Sequence, residues 1–228
     1  MKLKQYIGRH RTNLVTYGVV ILGFVIMQML SASHMLSSSV EGFLVPICAY
    51  VVLAVSLNLV VGISGELSLG HAGFMGVGAF TGIIVAALLK AVIASKVLLL
   101  IVAIVCGGVM AGLFGVVIGL PVMRLRGDYL AIVTLAFGEI LKNLINNMYV
   151  GSDANGVHFV IGTEKPLLAD GGSMVINGPM GATGVTKLAT FPIGFALILV
   201  TLFVVLNLIN SREGRAIKAV RDNRIAAE

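Results

Sequence analysis

Six apolar stretches run along the chain, from Leu14 to Leu30, Phe43 to Val61, Phe74 to Leu89, Val97 to Met123, Tyr129 to Val150 and Phe191 to Ile209. Each is near the ~20 residues that carry a helix across a hydrocarbon core. The pattern predicts an all-α polytopic transmembrane bundle of about six spans, forming one transmembrane domain over residues 1–228. The third stretch is short, which predicts a broken or re-entrant piece before it. The fifth is interrupted by Glu139 and Lys142 and is the least lipid-like.

Composition excludes a soluble fold. Hydrophobic residues make up 58% of the 228 and charged residues 11%, so few charges are left to cover a body of this size. Charge also sets orientation. With both termini cytoplasmic, the inner face carries Lys2, Lys4, Arg9, Arg11, Arg124, Arg126, Arg212, Arg215, Lys218, Arg221 and Arg224. The outer face has only Lys90, Lys96, Lys165 and Lys187, which satisfies the positive-inside rule. The net charge of +6 is thereby a topology signal; the basic residues form no patch among aromatics, so no nucleic-acid partner is expected. The first stretch has a basic leader, but its apolar core exceeds the 7–15 residues usual for a cleaved signal, so it reads as a retained helix. Cys48 and Cys106 lie inside apolar runs and read as buried small hydrophobes, not as a disulfide or a metal site.

Three segments depart from plain spans. Leu57 to Phe74, LNLVVGISGELSLGHAGF, breaks an apolar run with four glycines. Each glycine weakens a helix by ~1 kcal/mol relative to alanine, and irregular backbone at membrane depth needs protein or a water-filled cavity beside it. Ser64, Glu66, Ser68 and His71 are therefore candidates for a translocation path; the alternative is a Gly-rich cytoplasmic turn. Arg124 to Ile140, RLRGDYLAIVTLAFGEI, places Asp128 where a helix start favours an acid, and Glu139 within the span. Asp128 and Glu139 join the path candidates, although Glu139 can pair with Lys142 one turn on. Asn210 to Glu228 carries basic residues every three positions and predicts a basic amphipathic cytoplasmic helix, opened by Asn210 with Glu213. It suits either a groove on a cytoplasmic protein or anionic lipid.

Between these, Gly108 with Gly112 and Gly115 with Gly119 form small-xxx-small pairs, predicted to let helices pack closely. Gly78 with Gly82 forms another. Residues 151–190 make a long outer loop, read as a partner platform or a small folded cap. No nucleophile–base set, metal-binding His pair or phosphate-binding loop is present, so neither a catalytic residue nor a metal ligand is expected.

At these same blocks the chain resembles the permease subunits of branched-chain amino acid ABC importers, specifically the M-type of the two paired permeases. Leu57 to Phe74 is similar to that family's LNL–GxxGxLSLGHxxF signature, and Arg124 to Ile140 to its RLRGxYxAIxTLxFxEI stretch. Gly214 to Glu228, GRAIKAVRDNRIAAE, resembles a cytoplasmic segment between spans. The resemblance implies a translocation subunit for leucine, isoleucine and valine. Its implied partners are a second permease, two cytoplasmic ATPases that bind ATP and Mg, and an extracytoplasmic binding protein. The tail would then be a coupling helix, with Gly214, Arg215, Ala216, Arg221 and Glu228 at the ATPase contact. Permeases for urea or short-chain amides look alike in these blocks, and an ion-coupled carrier using Glu66, Asp128 or Glu139 is a reading from another class. The family's chains continue past this segment, so a truncated chain is expected. Of the family's TGG-x-NG motif only Asn155-Gly156 remains.

Overall fold

The computed structural model describes residues 2–33, 35–90, 92–122, 124–125, 127–153, 156–162, 166, 168, 172–185 and 187–222, with side chains from residue 14 onward. These residues fall into two compact units, 1–65 with 189–228 and 66–188.

The first unit holds α1 (Lys2–Ala32), α2 (Ser38–Asn58), a π-helical turn (Leu59–Ser64), α6 (Phe191–Asn210) and α7 (Arg212–Asp222). α2 and α6 pack through Leu44, Cys48, Ile198, Leu202 and Val205, all buried. Gly194 brings α6 onto Cys48 so closely that a methyl group there would lie 2.9 Å from the cysteine Cβ. α1 joins α6 through Phe24, whose ring stacks on Phe195 at 4.0 Å and Phe191 at 5.2 Å between centroids.

The second unit holds α3 (His71–Leu89), α4 (Lys96–Val122), α5 (Asp128–Asn146) and a three-stranded antiparallel sheet. Its strands are β1 (Met148–Asp153), β2 (Gly156–Ile161) and β3 (Ser173–Asn177), ordered β2-β1-β3. Val150, Val175 and Ile176 bury one face of this sheet against Phe80, Ile83, Ile84 and Ala87 of α3. Part of the long loop expected over residues 151–190 thus folds as sheet, among described residues that are otherwise mostly helical. Tyr149 and Val150, expected in the fifth span, belong to β1.

Among the described residues five helical stretches are long and apolar enough to cross a membrane: Leu14–Ala32, Ser38–Ser64, His71–Leu89, Lys96–Val122 and Phe191–Asn210. α5, the expected fifth span, is not among them and is amphipathic. Leu130, Ala131, Thr134 and Leu141 are buried, while Glu139 and Lys142 stand exposed.

The expected glycine pairs on α4 make no close helix contact within this chain. A methyl group added at Gly108, Gly112, Gly115 or Gly119 would meet no atom within 4 Å, so in this chain these four face open space. The close approach of α4 to α3 is at Gly107, where an added methyl would run into the Gly78 carbonyl oxygen. Gly82 likewise packs on the Ala103 carbonyl, at 3.2 Å. One residue along a helix turns the side chain by about 100°, so Gly108 looks away from the seam that Gly107 makes.

Candidate functional site

The break expected between the second and third spans is present and has a definite build. α2 loosens into the π-helical turn Leu59–Ser64, and Gly65 then closes it with φ +77°, a left-handed conformation that favours glycine. Residues 65–70 are non-helical, and α3 starts at His71.

Within the second unit, the end of this break lies against the middle of α5. The Leu69 amide donates to Thr134 Oγ1 at 3.1 Å, and the Thr134 hydroxyl donates to the Ala131 carbonyl at 2.9 Å. Thr134 is buried, and its hydroxyl both accepts and donates a bond. Gly70 lies so close that a Cβ there would strike the Thr134 carbonyl oxygen. One turn on, Gly73 meets Gly138, with an added methyl only 3.1 Å from the Gly138 Cα. Two stretches sixty-odd residues apart in sequence are thereby joined by backbone-to-backbone contact.

Beside this joint is a cavity of about 430 Å³. Leu69, Ala72, Phe80, Leu135 and Ile145 give it an apolar wall, and Glu139, Lys142 and Asn146 a polar one. Gly178 and Gly181, both at positive φ, bring the bare backbone of the 3₁₀ turn Gly178–Met180 to its edge. Glu139 and Lys142 pair at 2.9 Å and are more than half exposed.

In the first unit the tail helix meets the other end of the break. Arg221 Nη1 donates to the Gly62 carbonyl at 2.9 Å, and the Arg221 methylenes pack where a Cβ on Gly65 would be, 2.7 Å from Cγ. Within the π-helical turn the Gly62 carbonyl lies near the end, where helix carbonyls lack partners. The tail begins at a tight corner. Ser211 Oγ accepts the Gly214 amide at 3.0 Å, so the cap is Ser211, and Asn210 donates back to the Leu206 carbonyl instead. Extended backbone at Ser211, with ψ 177°, is what suits it to capping. Gly214 is buried in that corner, where a Cβ would hit the Leu208 and Ile209 carbonyls. Arg215 reaches back to the Asn210 carbonyl at 3.1 Å, and Ala216 is exposed. Glu213 stands in the first turn, its carboxyl held below the usual carboxylate value chiefly by its own main-chain amide. Glu228 lies outside the described residues.

Of the path candidates, Glu139 alone lines the cavity. Ser68 and His71 are half-buried beside it in sequence, with their neighbours Leu69 and Ala72 forming the wall. Asp128 opens α5 eleven residues before Glu139, about 16 Å along the axis, and is exposed. Glu66 is exposed, and Ser64 ends the π-helical turn in the first unit. The residues that sequence reasoning passed over are Thr134 and Gly138, while Gly70 and Gly73 read there as helix-weakening glycines and not as contacts to α5. Among the described residues no three His, Cys, Asp or Glu side chains converge to hold a metal ion.

A family model described as the branched-chain amino acid transport system / permease component matches residues 39–228, which include every block described above. The chain belongs to this permease family. A relative named high-affinity branched-chain amino acid transport system permease protein LivM, from Escherichia coli (strain K12), is 36% identical over 190 residues. That alignment covers 78% of this chain and 42% of the relative. The protein of the same name from Salmonella typhimurium is 34% identical over the same length and shares. The chain spans less than half the length of these curated relatives. No solved structure matches it significantly. As a permease component with five helical stretches of membrane-crossing length, the chain is a multi-pass integral membrane protein of the bacterial inner membrane.

Proposed function

We propose that the full-length protein is the translocation subunit of an ATP-driven importer for leucine, isoleucine and valine. The observation that carries this reading is the family match over residues 39–228, together with two relatives named for high-affinity branched-chain amino acid transport. The partners in this reading are a second permease, two cytoplasmic ATPases that hold ATP and Mg, and an extracytoplasmic binding protein. Both termini are cytoplasmic in it, which requires α5 to cross as well, making six crossings in all. The open glycine face of α4, Gly108 to Gly119, suits close approach by a helix of the second permease.

α7 is the coupling helix in this reading. Arg215 and Ala216 are exposed, as a docking face needs, whereas Gly214 supports the corner and Arg221 faces inward onto Gly62. That division supports a lever: the ATPase holds one side of α7, and the other side holds the π-helical turn at the break. ATP binds the closed ATPase pair more tightly than the open one, and this difference supplies the bias that moves the lever.

The test is transport by the complete assembly in proteoliposomes. Leucine uptake should need internal ATP, stop with vanadate and survive a protonophore. Uptake that ignores ATP and collapses with the ion gradient would establish a secondary carrier instead.

A further inference from the structure

We infer that the cavity between α3, α5 and the 3₁₀ turn takes a zwitterionic aliphatic amino acid, with its ammonium on Glu139 and its carboxylate on Lys142. This rests on the importer reading above and names the side chains that would recognise the cargo. Three features of the cavity point to this ligand class. Its volume, about 430 Å³, is at the small end of ligand pockets, which run from about 300 to 1,000 Å³. Its wall of Leu69, Ala72, Phe80, Leu135 and Ile145 would accept a branched hydrocarbon side chain and offer it no hydrogen bond. Its polar edge is a pair of opposite charges on neighbouring turns of one helix, 2.9 Å apart and accessible.

An exposed pair of this kind contributes little to folding, so opening it for a ligand costs little. A ligand carrying both charges on one carbon replaces a single contact with two. The net charge of ligand and edge stays zero together. A simple cation or anion would engage one member of the pair only, leaving the other to solvent. The arrangement therefore selects for the zwitterion over either half of it.

Occupancy can be read without relying on transport. In membranes carrying the complete transporter, a single reporter Ala72→Cys is placed in a background free of other cysteines, and its initial labelling rate by a small maleimide is measured. At twice its dissociation constant, leucine should slow labelling about threefold, because the free fraction falls as 1/(1 + [L]/Kd). Leucinamide, which lacks the carboxylate, and 4-methylpentanoate, which lacks the ammonium, should barely slow it at that concentration. Lys142→Gln should abolish protection by leucine and confer it on leucinamide. Glu139→Gln should confer it on 4-methylpentanoate. Both variants alter exposed side chains, and an unchanged labelling rate without ligand checks their fold. Equal protection by all three compounds, or leucine protection untouched in both variants, would overturn the inference. Leucine uptake that persists with no protection at Ala72→Cys removes this site and leaves the importer reading standing. Protection without leucine uptake does the reverse.

Discussion

Replacing Gly70 with alanine isolates the joint between the break and α5. Gly70 has φ −87° and ψ 1°, accessible to any residue, so the substitution brings no backbone strain of its own. What it brings is a methyl group driven into the Thr134 carbonyl oxygen and 3.1 Å from the carbonyl carbon. The obstacle is backbone in the middle of a helix, which cannot swing aside as a long side chain would. Overpacking of this kind costs about 1–3 kcal/mol. Losing glycine as the N-cap of α3 adds a few tenths, and the smaller entropy of the unfolded alanine chain returns about 0.4–1 kcal/mol. The balance is a loss of about 0.5–3 kcal/mol, or roughly 1–12 °C in melting temperature for a chain of this size. Gly108→Ala is the matched control. It adds the same methyl where nothing lies within 4 Å, inside α4, where alanine is favoured by about 1 kcal/mol. Thermal stability in detergent, followed as loss of the monodisperse peak, should fall for Gly70→Ala and hold or rise for Gly108→Ala. Equal shifts in the two, or a stabilised Gly70→Ala, would refute the claim that glycine contact holds the break against α5.

Other consequences are open to measurement. Thr134→Val should destabilise by about 1–2 kcal/mol while preserving shape, because it strands the Leu69 amide; unchanged hydrogen exchange at Leu69 would contradict this. Arg221→Ala removes the bond to Gly62 from a side chain that is 43% exposed, so the direct loss should be about 0.5–1 kcal/mol, with faster exchange in α7. Gly65→Ala should cost about 1–3 kcal/mol from its positive φ, and combining it with Arg221→Ala should recover only the steric part; strictly additive losses would deny the contact. Since folding lowers the Glu213 carboxyl below its ordinary value of about 4.3, its support for the start of α7 is complete above that pH. That support is lost as pH falls through the lowered value. Exchange protection in α7 should drop in that window, and Glu213→Gln should flatten the response.

The spans were legible because a bilayer imposes a one-dimensional rule. The stretches Val97 to Met123 and Phe191 to Ile209 correspond to α4 (Lys96–Val122) and α6 (Phe191–Asn210) within a residue, since length and apolarity suffice. The break was legible for a similar reason, four glycines in an apolar run. What lay hidden depends on rotation and on distant partners. Gly107 and Gly108 are indistinguishable in sequence, yet a turn of 100° puts one in the seam and the other in the open. Thr134 looks like an ordinary span residue until Leu69, 65 positions away, is placed on it. Arg221 reads as one more basic residue on an amphipathic helix, and its partner Gly62 is 159 positions distant. The β1–β2 hairpin did leave a local trace, an Asn155-Gly156 turn signal between Tyr149-Val150 and Val157, Phe159 and Ile161. Gly-rich spacing on either side of it read more readily as loop.

The most direct test of the account is initial uptake of labelled leucine by cells lacking the gene, set against the same cells carrying it at full length. Uptake should fall on deletion, return on complementation, and be competed by valine and isoleucine but not by urea. Leucine uptake unchanged by deletion, or restored uptake that urea suppresses and valine does not, would contradict the importer reading.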